Sequence, residues 1–206
     1  QFQLADPLEY LLQLVRAAVL QGATALEFTI DTDDMWLSFD GKPFTIEDFD
    51  ELYGALFGRS EDMSLAARRH LALGVNAALA LAPRQLRIDS GAAHLVVRPG
   101  EDDAFGPLEP THDKTRIHVR DRFKLSHFGR FFQAARGALP ERTLLAARAA
   151  FCPVPLVVNT TRIDTGLADL KARTTTWVEL AEGPHRVLGG HGRPSAEPEA
   201  DQVILV

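Results

Sequence analysis

The sequence predicts an α+β fold, a two-layer sandwich in which helices lie on one face of a mixed, mainly antiparallel sheet. Three observations support this expectation. Apolar residues recur at helical spacing near the N-terminus, two short strand-like runs flank a polar turn, and further helical and strand-like segments alternate along the chain. The chain has 206 residues, 46% of them apolar, so it can bury a core as one domain or as one domain with an appendage.

The first elements are a helix and a β-hairpin. Asp6 is a suitable N-cap, Pro7 fits the first turn, and Gly22 is the expected stop. The apolar positions between them follow the helical period: Leu8, Leu11, Leu12, Val15 and Val19. The hairpin is predicted from a strand, a polar turn and a second strand, over residues 25–30, 31–34 and 35–39.

Two more helices are expected in the middle of the chain. Thr45 opens the first, with Asp48 at the position of a variant capping box, and Gly58 ends it. After a short polar loop, Ser64 caps the second helix, which is expected over residues 65–82 and is closed by a proline.

The rest of the chain predicts strands, two helices and a C-terminal extension. Strands are expected over residues 85–89, 93–98, 115–120, 155–161, 177–181 and 203–206. Helices are expected over 124–138, where phenylalanines recur at helical spacing, and over 140–150. The acidic segment 99–114 contains glycine and proline and should be an exposed loop. We expect residues 1–165 to form the main domain, with 166–206 continuing the fold or leading to a further domain.

Composition argues against several classes of function. The net charge is −6, which disfavours a nucleic-acid binder because such proteins need clustered lysine and arginine. No run of about eighteen apolar residues is present, so no membrane span is expected. The single cysteine, Cys152, cannot form an internal disulfide, which favours a reducing, cytoplasmic compartment.

Residues 13–44, QLVRAAVLQGATALEFTIDTDDMWLSFDGKPF, resemble the nucleotide-binding segment of the GHKL, or Bergerat-fold, ATPase superfamily. That superfamily includes DNA gyrase, the ninety-kilodalton heat-shock chaperone, sensor histidine kinases and the mismatch-repair protein MutL. The resemblance covers roughly residues 8–120. Residues 144–164 add to it, because they resemble the end of the ATPase domain in heat-shock-chaperone-like proteins. The resemblance implies a degenerate version of the same α+β fold.

The first motif of the superfamily lacks its functional side chains here. In the superfamily, the first helix carries a catalytic Glu, a magnesium-binding Asn four residues on, and often an Asp-Ala-Gly-Ala-Thr run. The Gly-Ala-Thr part survives at 22–24, but Gln13, Ala17 and Leu20 stand at the Glu, Asn and Asp positions. The resemblance therefore implies that catalysis and magnesium binding are lost.

The second motif, Asp-x-Gly-x-Gly, binds adenine in the superfamily. Aligned on Gly41, the resemblance puts Phe39 at the adenine-binding Asp and Pro43 at the second Gly. Asp40 is one residue out of register, and on a strand that shift turns a side chain to the other face. A local slip at the strand end would make Asp40 an adenine acceptor, and the alternative is a turn residue beside Gly41.

The third motif, Gly-x-x-Gly-x-Gly, wraps the phosphates of the nucleotide in the superfamily. The matching residues 69–74, RHLALG, keep only the last glycine, Gly74. Asp40, Gly41 and Gly74 are thus the candidate remnants of a cofactor site. Arg68 and Arg69 could still contact a phosphate, but a solvated helix face is the favoured interpretation.

Together these losses predict a protein that is not an ATPase, because removing a general base typically costs about 10²–10⁴-fold in rate. The first hypothesis is a non-catalytic, ATPase-like module without a cofactor, which binds a protein partner or itself. The alternative is a divergent ATP- and magnesium-dependent protein that uses Asp40 for adenine and Arg68 or Arg69 for phosphate. A third hypothesis is an adaptor whose partner docks on the sheet or on Phe128 and Phe131.

The other polar clusters do not form a recognised site. His94 and His118 lie on expected strands and could approach each other across the sheet, but no histidine pair has zinc-binding spacing, so no metal site is predicted. Five basic residues bracket the phenylalanine-rich helix: Arg116, Arg120, Arg122, Lys124 and Arg130. They could bind an acidic partner or nucleic acid. Aspartates lie among them, so a solvated surface is the favoured interpretation.

Overall fold

The computed structural model describes residues 6–58, 62–120 and 139–164, which all belong to one compact unit within residues 1–165. In these ranges the fold is mixed α/β, with four α-helices and an open sheet of eight strands. The helices are α1 (Tyr10–Leu20), α2 (Ile46–Asp50), α3 (Met63–Ala80) and α4 (Pro140–Arg148). The strands are β1 (Leu26–Ile30), β2 (Asp34–Phe39), β3 (Gln85–Ser90), β4 (Ala93–Val97), β5 (Ala104–Pro107), β6 (Thr115–Arg120), β7 (Leu156–Val158) and β8 (Thr161–Arg162).

The strands lie in the order β5-β4-β3-β6-β2-β1-β7-β8. Among the described residues every strand pair is antiparallel except β1 with β7. The β1–β2 hairpin, which the sequence predicts, therefore lies inside the sheet, with β6 on one side and β7 on the other. The mainly antiparallel, mixed sheet is confirmed.

One face of the sheet is buried. Alternate residues of β1 and β2 have almost no exposed surface, as the period of two requires: Leu26, Phe28, Ile30, Met35, Leu37 and Phe39. These side chains form one apolar core with residues of α1 and α3. Burying each large apolar side chain contributes about 1.5–3 kcal/mol, so the core is the main source of stability for the fold.

The start of the first helix follows the sequence closely. Oδ1 of Asp6 accepts a hydrogen bond from the backbone N–H of Leu8 at 2.9 Å, and Pro7–Glu9 form a 3₁₀ turn that leads into α1. Gly22 follows the helix with φ of +78°, in the left-handed region that glycine adopts at no steric cost. The expected N-cap and stop are both confirmed.

The middle helices differ from expectation in two details. The Thr45 capping box is present, but α2 ends at Asp50 and the chain continues as a separate 3₁₀ turn, Tyr53–Leu56. Ser64 is not the cap of α3, since Asp62 accepts a hydrogen bond from the Ser64 N–H at 2.9 Å. A carboxylate is at least as good a cap as a hydroxyl, so the helix begins at Met63, two residues earlier than expected.

Residues 99–114 are not wholly a loop, because they contain β5. This short strand pairs with β4 and lies at the edge of the sheet. All of its residues are at least partly exposed, so no alternation of apolar and polar residues marks it in the sequence.

Several predicted elements lie outside the described residues: the helix over 124–138, the strands over 177–181 and 203–206, and the extension 166–206. Phe128 and Phe131 belong to the first of these. Within the described ranges, the helices are too short or too polar to cross a membrane.

Candidate functional site

The candidate site is the region where α1, α3 and the end of β2 meet, because the superfamily resemblance places its nucleotide there. The two helices pack closely against each other. A Cβ built on Gly74 of α3 would lie 2.7 Å from Cδ2 and 3.2 Å from Cγ of Leu14, a fully buried residue of α1. Gly74 therefore has a packing role, since a larger residue would force Leu14 away from α3.

Gln13, which stands at the catalytic position of the resemblance, is bonded to α3. Its side chain is 7% exposed, and its Oε1 lies 2.8 Å from Nδ1 of His70. An amide oxygen only accepts, so Nδ1 of His70 carries the proton. This hydrogen bond joins α1 to α3. An amide can orient a water molecule, but it cannot take a proton from one.

The surroundings of His70 favour its neutral form. Burial lowers the pKa of the imidazole, and the positive charges of Arg16 and Arg69 lower it further. A neutral imidazole with its proton on Nδ1 has a free acceptor at Nε2. The sequence places His70 beside Arg68 and Arg69, a group that could contact a phosphate or form a solvated helix face.

Ala17 and Leu20 offer nothing to a metal ion. Ala17 is fully buried in the helix interface, and Leu20 packs against the core while half-buried. In the part of the chain that the structure describes, no group of three or more histidine, cysteine, aspartate or glutamate side chains is arranged to hold a metal.

Asp40, the candidate adenine acceptor, makes three hydrogen bonds to the loop after α1. Its Oδ1 accepts from the backbone N–H groups of Thr24 at 2.7 Å and Ala25 at 3.2 Å. Its Oδ2 accepts from the hydroxyl of Thr24 at 2.5 Å. Thr24, in the Gly-Ala-Thr run, thus holds the Asp40 carboxylate at the end of β2.

These bonds also set the charge of Asp40. The Thr24 hydroxyl, then the Thr24 N–H, lower the pKa of the Asp40 carboxyl to about 2, because they stabilise the ionised form. The carboxylate is therefore charged at neutral pH and bound within the protein. Three of its four acceptor sites are used, so one site on Oδ2 remains for a further donor.

Gly41 lies where β2 meets the end of α1. Its φ is +105°, and an added Cβ would lie 2.7 Å from the carbonyl oxygen of Gln21. The next residue, Lys42, donates its backbone N–H to that same oxygen at 2.8 Å. Glycine is needed at position 41 because the chain after β2 passes directly against the backbone at the end of α1.

Aromatic side chains fill the space beneath this loop. Phe39 faces the core and is 1% exposed, which agrees with its place at the end of a strand whose alternate residues are buried. Phe44 and Phe49 are also buried, and their ring centroids lie 6.3 Å apart in a tilted contact. Such a pair contributes about 0.5–1.5 kcal/mol beyond its buried area.

A buried polar link joins the loop to the sheet. The N–H of Phe44 donates to Oγ of Ser90 at 2.8 Å, and that hydroxyl is 2.7 Å from Oγ1 of Thr115. Sequence reasoning missed both hydroxyl residues. Their positions could have indicated them, because each is a polar residue on the buried face of its strand, where the other residues are apolar.

The two arginines proposed for phosphate are engaged elsewhere. Nη1 of Arg68 lies 3.0 Å from Oε2 of Glu51, and its Nε lies 3.4 Å from Oδ1 of Asp48. Nη2 of Arg69 donates to the carbonyl of Gly58 at 2.7 Å. Both side chains attach α3 to the segment that contains α2 and the following turn, rather than forming a solvated face.

A separate pocket lies at the opposite end of β2. It has a volume of about 40 Å³, room for a few water molecules at most, and part of its lining is acidic. Its polar lining comes from the hairpin turn and the start of α4: Asp31, Thr32, Asp33, Asp34 and Glu141. It is too small for a nucleotide.

The remaining candidates are dispersed. His118 on β6 and His94 on β4 are separated by β3, and Nδ1 of His94 lies 3.1 Å from the carbonyl of Pro107. Cys152 is half-buried against the core, and burial raises the pKa of its thiol.

Of the basic cluster, Arg116 and Arg120 are exposed on β6, while Arg122, Lys124 and Arg130 lie outside the described residues.

The chain matches no known protein family and no curated protein.

Proposed function

We propose that this chain is a non-catalytic, ATPase-like domain that acts as a protein-interaction or regulatory module. The observation that carries the proposal is the engagement of Asp40. Its carboxylate accepts three hydrogen bonds from Thr24 and Ala25, so the acid beside the adenine position that the resemblance implies holds the loop after α1.

Two further contacts support a site without catalysis. Gln13 replaces the general base, and its amide oxygen is held by His70 at 2.8 Å. Gly74 brings α3 against Leu14 on α1, which leaves no gap between the helices at that point. A domain with these contacts would function through its surface, by binding a protein partner or a second copy.

The proposal includes the finer architecture. We propose that the helices pack on a single face of the sheet, as in the two-layer sandwich of the GHKL superfamily. Support comes from the shared core of α1, α3 and the inward-facing strand residues.

A cytoplasmic location stays a prediction, which rests on the single cysteine.

A thermal-unfolding titration with ATP and Mg²⁺ tests the proposed function. A nucleotide binder would gain about 2.7 kcal/mol in unfolding free energy at a ligand concentration a hundred times its dissociation constant. For a chain of this size, that gain raises Tm by about 5 °C or more. We expect no such rise. MgCl₂ alone and sodium triphosphate with MgCl₂ are the controls for ionic effects.

The alternative, a divergent ATP-binding protein, has one observation in its favour. Asp40 is ionised at neutral pH and lies beside Gly41 at the end of β2, where the resemblance places adenine. This alternative requires that ATP raise Tm in the wild type and that Asp40→Asn abolish the rise. That pair of results would overturn the proposed function.

A further inference from the structure

The outer face of the sheet, opposite the buried core, carries an aromatic stack. Trp36 on β2 and His118 on β6 are register partners, and their ring centroids lie 3.6 Å apart with planes only 8° from parallel. Trp36 is 43% exposed, so its indole presents apolar surface to solvent. Tryptophan is among the residues most enriched at the energetic centres of protein interfaces.

A hydrogen bond holds this stack in place. Nε2 of His118 donates to Oδ1 of Asp34 at 2.5 Å, since an ionised carboxylate can only accept. The bond restrains the imidazole, and the parallel contact restrains the indole of Trp36. A surface that is ordered before binding loses little side-chain entropy when a partner arrives.

Two arginines flank the stack along β6. Arg116 and Arg120 lie two residues before and after His118, so all three side chains leave the same face of the sheet. Both arginines are exposed, and among the described residues neither side chain has an ion pair or hydrogen bond. Four residues along a strand separate the two attachment points by about 13 Å.

The acids next to these arginines are engaged by other groups. Asp34 is the register neighbour of Arg120 but accepts from His118, and Asp89 is the neighbour of Arg116 but accepts from Nε of Arg87 through both oxygens at 2.9 Å. Arg87, Arg116 and Arg120 are matched on this face by Asp34, Asp89 and Glu27, so these residues carry no net charge together. The positive charge is local, because among the described residues the guanidinium groups of Arg116 and Arg120 have no carboxylate partner.

We infer that this face binds an extended acidic segment of a protein partner. In an extended chain, side chains two residues apart point the same way and lie about 6.6 Å apart. A segment with acidic residues four apart and an aromatic residue midway would therefore place carboxylates on Arg116 and Arg120 and its ring on Trp36. Arginine and carboxylate form paired, parallel hydrogen bonds, which fixes the register of the segment.

The protein's charge argues for a peptide and against single-stranded nucleic acid, which could also stack on tryptophan and pair with arginine. The chain has a net charge of −6, and Glu27 lies exposed on the same face of β1. A phosphate backbone would meet this repulsion along its whole length. A short acidic segment contacts only Arg116, Arg120 and the stack at Trp36.

The inference rests on the proposed function, because it names the surface through which an interaction module would act. Its test uses the full chain and a labelled peptide, Gly-Ser-Glu-Thr-Phe-Thr-Glu-Ser-Gly, in fluorescence anisotropy. A peptide with lysine in place of both glutamates and an oligodeoxythymidylate are titrated in parallel. We expect only the glutamate peptide to bind, and to bind more weakly at higher salt.

Three variants assign the binding to this face. We expect Trp36→Ala and the double change Arg116→Gln with Arg120→Gln each to weaken the glutamate peptide about tenfold. The matched control is Arg16→Gln with Lys42→Gln, which removes two exposed positive charges from other surfaces. This control should bind as the wild type does.

The inference is overturned if the wild type does not bind the glutamate peptide up to about 1 mM, a free energy near −4 kcal/mol. Equal binding of the lysine peptide, tighter binding of the oligonucleotide, or an equal loss in the control variant would also overturn it. The ATP titration is run on the same preparations. A rise in Tm with ATP would overturn the proposed function and leave the peptide result standing.

Discussion

The side-chain amide of Asn159 pairs with both backbone groups of Ile30. The N–H of Ile30 donates to Oδ1 of Asn159 at 2.7 Å, and Nδ2 of Asn159 donates to the carbonyl of Ile30 at 2.7 Å. Asn159 follows β7 with φ of +46°. Its backbone N–H donates to the carbonyl of Phe28 at 2.9 Å, and its side chain extends the pairing with β1 to Ile30. One residue thus completes the only parallel contact in the described sheet.

Replacing Asn159 should destabilise the fold in two separable ways. Asn159→Gly removes both hydrogen bonds but tolerates the positive φ, and we expect it to cost about 1–3 kcal/mol. Asn159→Ala loses the same bonds and is also strained in the left-handed region, so it should cost about 1 kcal/mol more. Urea unfolding measures both. Equal stability of the glycine variant and the wild type would mean that the two bonds contribute nothing.

Gly74→Ala should destabilise the protein despite the higher helix propensity of alanine. The propensity gain is at most about 1 kcal/mol, while forcing a methyl group against Leu14 should cost about 1–3 kcal/mol. Shortening the neighbour removes the clash, so in a Leu14→Ala background the same change should become neutral or stabilising. Thermal and urea unfolding of the four proteins form a double-mutant cycle.

The matched control for that cycle is Gly54→Ala. Gly54 lies in the 3₁₀ turn Tyr53–Leu56, and a Cβ there would meet no atom within 4 Å. This change should leave stability within about 0.5 kcal/mol of the wild type. A loss at Gly54 as large as at Gly74 would contradict the packing role assigned to the α1–α3 contact.

Asp40 should make stability depend on acidity below about pH 4. The hydrogen bonds from Thr24 and Ala25 lower the folded-state pKa of Asp40 to about 2, whereas an unfolded aspartate has a pKa near 3.9. Its stabilising contribution is therefore complete above the unfolded value and is lost as the pH falls towards 2. Asp40→Asn should be less stable than the wild type at pH 7, and the difference should shrink below pH 4. Carbon NMR of the carboxyl group gives its pKa directly.

His70 should produce a separate loss of stability at milder acidity. Burial and the nearby arginines lower its folded-state pKa, so the unfolded chain, with a histidine pKa near 6.5, binds the proton more readily. The contribution of neutral His70 is present above about pH 6.5 and declines as the pH falls towards the folded value. His70→Gln keeps a donor for Gln13 but does not titrate. The wild type should lose more stability than this variant between pH 7.5 and 5.5, as measured by urea unfolding.

Local signals in the sequence predicted the elements with strong caps and periodicity. Asp6, the hairpin and the Thr45 capping box are all as expected, because each depends on neighbours within about four residues. The edge strand β5 was not predicted because all of its residues are at least partly exposed, so its sequence has no alternation of apolar and polar residues. The cap of α3 was misplaced by two residues because Asp62 and Ser64 are both suitable capping types.

The contacts of the candidate site could not be predicted from the sequence in the same way. Gln13 and His70 are far apart in the chain, and only the packing of α1 on α3 brings them to 2.8 Å. The partners of Asp40 likewise depend on the loop after α1 folding back onto the end of β2. The residue types at positions 13 and 40 are visible in the sequence, but the hydrogen bonds that Gln13 and Asp40 make are not.

The geometry at Gly41 has a consequence for how degenerate nucleotide sites are identified. Its missing side chain leaves room for the Gln21 carbonyl 2.7 Å from where a Cβ would stand, so folding alone demands glycine there. A glycine at a motif position can therefore be required by backbone closure alone, so its presence does not by itself indicate a ligand. Surviving polar side chains with unoccupied donors or acceptors are the better marker of a working site.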